Sequence, residues 1–367
     1  MMDCPGCPYK TYQKFFNYYG VDDYANQWIL AAFNRGTTSF VKGRADFTKY
    51  SFDGISESVQ KGTAYMAVWM YVIREMEDAI DDCNSGCTAS GACNDDQVHA
   101  WDEAVAFYTG SVPKNSGEGG YLLYSLAQKR CENFGTCLTT GAETGMARVN
   151  SEIFKNFREG KQNLMMGNCE VARKNVERIT QLMTVPLIQG TIRYAYIMDK
   201  ESDKREKTEA EGATFAAAVL PMVNACNEGD ADIIYDNMKT GNGGNAKFDE
   251  VKAAFERNLG CLGITCGDIG GLVDEASVGY KAGAEPCGYT PEPINEPSVS
   301  TGSSSKPSSS TASSNASTSD KGNEGANVGL AVGLTFGIVA FLAIVALVVS
   351  RKRNEKEFDG MAEPEMT

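Results

Sequence analysis

Residues 99–113 read HAWDEAVAFYTGSVP, and a related stretch, EGATFAAAVLP, occupies residues 211–221. When Glu103 is aligned with Glu211, the phenylalanine four positions later and the proline ten positions later also coincide, with small apolar residues between them. A chance match seldom keeps residue type and spacing over such a length. We therefore expect that the chain contains a diverged internal duplication.

The similarity extends in both directions from this stretch. Upstream, Gly-Thr at residues 62–63 matches Gly-Thr at residues 190–191, and downstream GYLLYSLA at 120–127 matches ADIIYDNM at 231–238. The first copy is longer by an insert rich in Cys, Gly, Asn and Asp at roughly residues 81–100. Because the matching segments keep their order, one duplication with one insertion accounts for all of them.

Apolar residues recur at helical spacing through residues 1–285, whereas alternation with a period of two is almost absent. Glycine and proline fall between the periodic segments, where helices end. This pattern predicts an all-α fold of two related helical bundles, residues 1–146 and 147–290, packed together. The helices expected from periodicity cover residues 56–82, 99–108, 121–134, 148–166, 170–200, 206–220, 230–238, 246–259 and 268–282.

The composition excludes several classes of function. The chain has 367 residues, with 34 basic and 48 acidic side chains and a formal charge of −14, so we expect no nucleic-acid partner. His99 is the only histidine, which leaves almost nothing for zinc sites with several imidazoles or for Ser-His-Asp chemistry. No phosphate-cradling glycine loop or nucleophile–base pair stands out, so we expect a binding protein and not an enzyme.

The twelve cysteines favour a set of disulfides in an oxidising compartment. A redox or metal-binding role for the closely spaced cysteines is the alternative. Cys131/Cys137 and Cys261/Cys266 occupy equivalent places in the two copies, where each pair follows a helix and closes a short glycine-containing loop. We therefore expect local disulfides within these two pairs.

The C-terminal part has the composition of a membrane anchor. Residues 291–326 form a Ser/Thr-rich stalk with a glycosylation sequon at Asn315. Residues 327–350 contain 22 consecutive uncharged residues, enough for a helix of about 33 Å that spans a bilayer. The basic start of the tail, residues 351–367, places that tail in the cytoplasm. No secretory signal is visible at the N-terminus, so we expect one to have been removed or to lie upstream.

Three glycines in the predicted span, Gly329, Gly333 and Gly337, follow the small-xxx-small pattern that lets membrane helices pair. Self-association through this stripe is one reading, and a glycine-rich span without a partner is the other. In either case the predicted partner of this segment is the membrane itself.

Acidic residues that recur in both copies are less expected to be random surface charge. In the first copy, Glu75 and Asp78 lie near the end of one helix and Glu103 lies in the next. The matched pairs are Glu75 with Asp203, Asp78 with Glu206, and Glu103 with Glu211.

These carboxylates suggest a metal site. Short-looped neighbouring helices run antiparallel, so Glu75 and Asp78 are expected to approach His99, Asp102 and Glu103. Glu103 shares a helical stripe with a phenylalanine and is expected to face inward, where a carboxylate needs a counter-charge. A site of oxygen ligands with at most one imidazole suits Fe(III) or Ca(II). Tyrosines available as phenolate ligands are Tyr65, Tyr108 and Tyr121.

The alternative is a structural role for the same residues. In that reading an internal ion pair, for example with Arg74, satisfies the buried carboxylate, and Glu75 and Asp78 form a solvated helix end.

HAWDEAVAFYTGS at residues 99–111, followed by GYLLYSLAQKRCENFGTC at residues 120–137, resembles the core of the algal iron-assimilation proteins, the phytotransferrins induced by iron starvation. The layout of extracellular domain, stalk, single C-terminal span and short tail is similar as well. The resemblance covers roughly residues 10–285. It implies capture of ferric iron at the cell surface, with carbonate as a candidate synergistic anion, and delivery by internalisation with endosomal cycling.

The chain resembles the imelysin-like periplasmic iron-uptake proteins more distantly. Their motif has a histidine three residues before a glutamate, whereas His99 lies four residues before Glu103 and Asp102 has the three-residue spacing. We therefore predict a single-pass type I plasma-membrane glycoprotein whose ectodomain binds ferric iron for uptake. A cell-surface adhesion protein with structural carboxylates and an imelysin-like membrane-anchored hydrolase are the other functions left open.

Overall fold

The structure, a computed structural model, describes residues 9–87, 96–110, 120–276 and 279–289. Within these ranges every regular element is helical, and extended backbone pairs only in three isolated bridges. The prediction of an all-α fold is confirmed. The helices are α1 (Lys10–Tyr19), α2 (Tyr24–Phe33), α3 (Phe52–Gly62), α4 (Trp69–Ser85), α5 (Gln97–Thr109), α6 (Leu123–Phe134), α7 (Arg148–Met165), α8 (Cys169–Leu182), α9 (Val185–Asp199), α10 (Glu206–Asn224), α11 (Glu228–Met238), α12 (Phe248–Leu262) and α13 (Cys266–Ile269).

Local sequence explains many of the helix ends. Asp96 precedes α5 and accepts hydrogen bonds from two of its first backbone amides, and Asn227 does the same for one amide of α11. Gly135 ends α6 and Gly263 ends α12 in the left-handed conformation, with φ of 63° and 73°. Glycine adopts this conformation without steric cost, so it stops a helix where the chain must turn.

Two helix predictions are wrong. The helix expected over residues 170–200 is divided into α8 and α9, because Pro186 lacks an amide hydrogen and is accommodated at the start of a helix but not in its interior. The helix expected over residues 268–282 ends after the single turn of α13, because Gly270 takes a φ of 70°. An isolated bridge and short turns follow it.

Helices α9 and α10 lie at the centre of the fold, where nearly all of their side chains are buried. A helix that is apolar on all sides is stable only when neighbours surround it, and α10 packs against α1, α3, α9 and α11. Since α1 and α3 belong to the first half of the chain, both halves contribute to one core. The division into two related repeats, residues 1–146 and 147–290, stays a prediction.

A π-helical segment, Thr63–Val68, joins α3 to α4 in one continuous helical run. Gly62 precedes it, and a Cβ added there would lie 2.8 Å from Cδ1 of Trp28. A Cβ added at Gly190 in α9 would lie 2.8 Å from the ring of Phe215. The two glycines that the sequence matches to each other therefore both allow an aromatic ring to approach the backbone. Single π-turns within helices occur frequently at functional sites.

The disulfides confirm one predicted pair and correct the other. No cysteine in the described part of the chain is free. The bonds between described cysteines are Cys83–Cys169, Cys131–Cys137, Cys226–Cys261 and Cys266–Cys287. The predicted Cys261–Cys266 bond is wrong, because α12 lies beside α10 and brings Cys261 to Cys226, which follows the end of α10.

Several predictions lie outside the described residues. These are the stalk at residues 291–326, the membrane span at 327–350, the tail at 351–367, the sequon at Asn315 and the stripe of Gly329, Gly333 and Gly337. Among the helices that the structure does describe, none combines the length and the hydropathy needed to cross a bilayer.

Candidate metal centre

The two carboxylates predicted on the first long helix lie beside a neighbouring arginine. The carboxylate oxygens of Glu75 and Asp78, both in α4, are 3.8 and 3.0 Å from Nη1 of Arg74. Glu75 is buried, whereas Asp78 is partly exposed. The ion pair with Arg74 that the sequence left open as an alternative is therefore present.

His99, Asp102 and Glu103 lie on the solvent side of α5. Nε2 of His99 is 3.4 Å from Oε1 of Glu103, and the two side chains are 61% and 46% exposed. Asp102 forms an exposed ion pair with Lys161 at 2.7 Å. The expectation that Glu103 points inward is wrong, because α5 buries the face that carries Trp101 and leaves the face of Glu103 in water.

The tyrosines considered beside α5 have other environments. The hydroxyl of Tyr108, which is fully buried, donates a hydrogen bond of 2.6 Å to Oδ1 of Asn150. Burial raises the pKa of Tyr108 well above its ordinary value. Tyr121 is 71% exposed. Tyr108 is therefore part of the core, and Tyr121 faces the solvent.

Two of the matched acidic residues in the second half stabilise local structure. Asp203 accepts hydrogen bonds from Arg205 and Thr208, and the bond from the Arg205 side chain is the largest cause that holds the pKa of Asp203 far below its ordinary value. Glu206 accepts hydrogen bonds from the backbone amides of Ser51 and Gly54, at 2.7 and 3.1 Å. It thereby satisfies amides at the start of α3, where a negative charge also interacts favourably with the helix dipole.

Within the ranges that the structure describes, no three His, Cys, Asp or Glu side chains come close enough together to hold a metal ion. The structure therefore does not bring three of the predicted His, Asp and Glu ligands on α4 and α5 together, and the metal role of these residues stays a prediction. Hard cations such as Fe(III) prefer anionic oxygen donors, and tyrosine supplies one when it is deprotonated. Phenolates can therefore complete a centre that has only two carboxylates.

Such a combination occurs where α3 and the π-helical segment pack against α10, which in turn packs against α9. Glu57, Lys61 and Tyr65 follow one another at four-residue spacing, which brings their side chains to one side of the helix. We call the group the tyrosine cluster. Its members are Glu57, Lys61, Tyr65, Arg130, Tyr194, Lys207, Glu211 and Phe215.

The ring of Phe215 stacks against both tyrosines of the cluster. Its ring centroid is 5.1 Å from that of Tyr65 and 5.9 Å from that of Tyr194, with interplanar angles of 20° and 15°. Phe215 is fully buried against Gly190, so its ring has little freedom to move. The stacked arrangement fixes the planes of both phenols. The Glu211 carboxylate is near enough to the Tyr194 hydroxyl that its negative charge raises the pKa of that tyrosine.

Two lysines neutralise the carboxylates of the cluster. Nζ of Lys61 lies 3.0 Å from Oε2 of Glu57 and 3.4 Å from Oε1 of Glu211, and Nζ of Lys207 lies 3.0 Å from Oε1 of Glu57. Oε2 of Glu57 is buried and has no well-aligned hydrogen bond, so its pairing with Lys61 is electrostatic. Burial raises the pKa of Glu57, but the adjacent positive charges of Lys61 and Lys207 together outweigh burial and lower it.

Arg130 of α6 is the most unusual charge in the cluster. It is 8% exposed, its Nη1 donates to Oδ1 of Asn133 at 3.0 Å, and its Nε is buried without a hydrogen-bond partner. Burial lowers the pKa of Arg130. The guanidinium carbon lies 5.9 Å from the ring centroid of Phe215, and no carboxylate within the described ranges forms a salt bridge with Arg130. A buried guanidinium without an anionic partner is costly, and a bound anion offsets that cost.

Both phenols of the cluster are neutral at neutral pH. Burial raises the pKa of Tyr65 and of Tyr194 well above the ordinary value, and the charge of Glu211 raises both further. Arg130 acts in the opposite direction on both hydroxyls. The cluster therefore combines two protonated phenols with two carboxylates, and a guanidinium lies beside them.

A family model described as low iron-inducible periplasmic protein (Fea1) matches residues 46–290. The chain belongs to this family. The match covers every member of the tyrosine cluster and confirms the resemblance to proteins induced by iron starvation. No curated protein and no solved structure gives a significant match to the chain.

For this member of the low iron-inducible family, the sequence identified part of the cluster. It singled out Tyr65 as a phenolate and Glu211 as a matched carboxylate, but not Glu57, Tyr194 or Arg130. One available signal was a tyrosine shortly after each copy of the matched Gly-Thr pair. The position of Arg130 carried no signal, because only the packing of α6 against α9 makes it buried.

Proposed function

We propose that the chain binds ferric iron outside the cell and that Glu57, Tyr65, Tyr194 and Glu211 supply its ligands. The observation that supports this is the presence of two buried phenols and two carboxylates in one cluster of a low iron-inducible protein. Four anionic oxygen donors suit Fe(III) better than Zn or Cu, which favour imidazole and thiolate ligands.

Arg130 is the residue of the cluster that would bind an anion. Guanidinium groups bind planar oxyanions through two parallel hydrogen bonds, and carbonate has this geometry. A carbonate on Arg130 would supply oxygens next to those of Tyr65, Tyr194 and Glu211. Its negative charge would also remove the cost of the buried guanidinium. We therefore propose carbonate as the synergistic anion of this site.

Iron binding at this cluster requires two local changes. Lys61 and Lys207 have to leave the carboxylates that they neutralise, and Tyr65 and Tyr194 have to lose their protons. Lysine side chains are long and flexible, so the ammonium groups can move into solvent without a change in the helices. Because metal binding then releases protons, the apparent affinity rises with pH.

The proposed function also includes the cellular location of the protein and the route by which iron enters the cell. The description of the family as periplasmic and the disulfides of the domain both support a location outside the cytoplasm. We propose that residues 327–350 anchor the protein in the plasma membrane and that the iron-loaded protein is internalised.

The proposal is tested by titrating the purified full-length protein with ferric iron at fixed pH and bicarbonate concentration. Tyr194→Phe removes one ligand and should weaken iron binding at least tenfold, about 1.4 kcal/mol. The visible iron–phenolate absorption band should weaken as well. Tyr108→Phe removes an equally buried hydroxyl outside the cluster and should bind iron like the parent, with the same band. Parent-like binding by both Tyr194→Phe and Glu211→Gln would contradict the assignment of the site.

A further inference from the structure

A cavity of about 450 Å³ lies on a different part of the molecule from the tyrosine cluster. The first turn of α1, one side of α4 and one side of α8 form its walls, and the C-terminal ends of α10 and α12 close it. We call it the α1–α8 cleft. Its volume is within the range of pockets that bind small molecules.

The floor of the α1–α8 cleft is apolar and rigid. Val176 and Met222 are buried there, and the Cys226–Cys261 disulfide links the ends of α10 and α12 beside them. An apolar floor contributes contact area to a ligand without selecting its charge. Selection therefore depends on the walls.

The walls carry charges of both signs. Lys10 and Lys14 project from successive turns of α1, and Asp81 and Glu177 project from α4 and α8. Within the described part of the chain none of these four side chains forms a salt bridge or a side-chain hydrogen bond. Arg173 and Glu77, which also line the cleft, pair with each other. The formal charges that line the cleft therefore sum to zero.

Lys14 differs from the other three unpaired charges because it is half-buried. Burial lowers its pKa, and no neighbouring carboxylate compensates for the water that its ammonium group has lost. A ligand carboxylate placed against Lys14 would offset this cost. The exposed carboxylates of Asp81 and Glu177 on the other walls would receive a positively charged group of the same ligand.

We infer that the α1–α8 cleft binds a zwitterionic small molecule of the amino-acid or short-peptide class. The ligand carboxylate contacts Lys14 and Lys10, its ammonium group contacts Asp81 and Glu177, and its apolar part lies on the floor. The zero net charge of the lining disfavours polyanions and polycations, which would leave one set of wall charges unsatisfied. The inference is independent of iron binding, because no residue of the tyrosine cluster lines the cleft.

The test uses isothermal titration calorimetry on the purified full-length protein. The probes are the free amino acids and a set of glycyl dipeptides, with acetate and methylamine as compounds that carry a single charge. We expect at least one zwitterion to bind with a Kd of about 1 mM or lower. Acetate and methylamine should bind at least tenfold more weakly than that zwitterion.

Two variants locate the site. Lys14→Met and Asp81→Asn should each weaken binding of the zwitterion at least tenfold. Asp81 is exposed, so its replacement does not threaten folding and tests the cleft even if Lys14→Met is poorly folded. Lys155→Met, which removes an exposed lysine of α7, is the matched control and should bind like the parent. The inference is overturned if no probe binds, if acetate binds as tightly as the zwitterion, or if Asp81→Asn binds like the parent.

Discussion

Replacement of Lys61 by methionine should make iron bind more tightly although it removes a stabilising ion pair. The Lys61 ammonium lies 3.0 Å from Glu57 and 3.4 Å from Glu211, and these three side chains are only 12–18% exposed. At such distances each ion pair has a Coulomb energy of about 5 kcal/mol at an effective dielectric constant of about 20. The desolvation of Lys61 and the entropy of its side chain oppose most of this energy.

At the proposed site iron has to displace Lys61 from both carboxylates, so the removal of Lys61 eliminates a competing cation. We expect Lys61→Met to raise the iron affinity at least tenfold, about 1.4 kcal/mol. In the absence of iron, two carboxylates lose a shared counter-charge, and the free energy of unfolding should fall by about 1–3 kcal/mol. Lower stability combined with tighter binding is an outcome that general damage to the fold does not produce.

The affinity is measured by competition with a chelator of known ferric affinity, at fixed pH and bicarbonate concentration. The stability is measured by thermal unfolding with and without iron, and the iron-induced rise in Tm should be larger for the variant than for the parent. Lys161→Met is the control, because it breaks the exposed Asp102–Lys161 pair on α7 and α5. Iron affinity that is equal to or lower than that of the parent in Lys61→Met would refute the role of Glu57 and Glu211 as ligands.

Three further predictions concern protons and helix ends. Iron binding near neutral pH should release at least two protons per ion in a pH-stat, and Tyr65→Phe should lower this number by one, because burial keeps that phenol protonated beforehand. Folding lowers the pKa of Glu57 from its ordinary value of 4.5, so the contribution of Glu57 to the free energy of unfolding should be complete above about pH 5. This contribution should be lost as the pH falls through the lower pKa of the folded state. In urea unfolding measured at several pH values, Glu57→Gln should reduce the fall in stability at acidic pH. Glu206→Gln should lower the Tm by an amount equivalent to about 1 kcal/mol, since it weakens the capping of α3, whereas Asp249→Asn at the exposed start of α12 should change it by less than half as much.

The helical fold was predictable because helix periodicity and helix ends are local properties. The expected segments at residues 121–134 and 148–166 agree with α6 and α7 to within two residues at each end. The errors occurred where one residue overrides a favourable pattern. Pro186 divided an apolar run into α8 and α9, and Gly270 ended α13 after one turn. The partner of Cys261 was also unpredictable, because it depends on the packing of α12 beside α10.

The candidate site was less predictable because its members come from four separate parts of the chain. A helical stripe shows which residues share a side, but it does not show which helix lies opposite. Glu103 and Phe107 share a stripe, yet α5 turns the opposite side toward the core. Tyr65 and Glu211 were identified singly, and only the packing of α3 and the π-helical segment against α10 brings them together.

Glu103 and Glu211, which the duplication places at equivalent positions, have opposite environments. The Glu103 side chain is 46% exposed beside His99, whereas that of Glu211 is only 12% exposed and lies 3.4 Å from Nζ of Lys61. An acidic residue present in both copies is therefore not evidence of the same role in both. The difference follows from the neighbours of each helix, because α10 has helices on all sides and α5 has one side in water. If the chain arose by duplication, only the copy enclosed by the other half acquired low-dielectric surroundings. Such surroundings would strengthen the attraction between a cation and the proposed phenolate and carboxylate ligands.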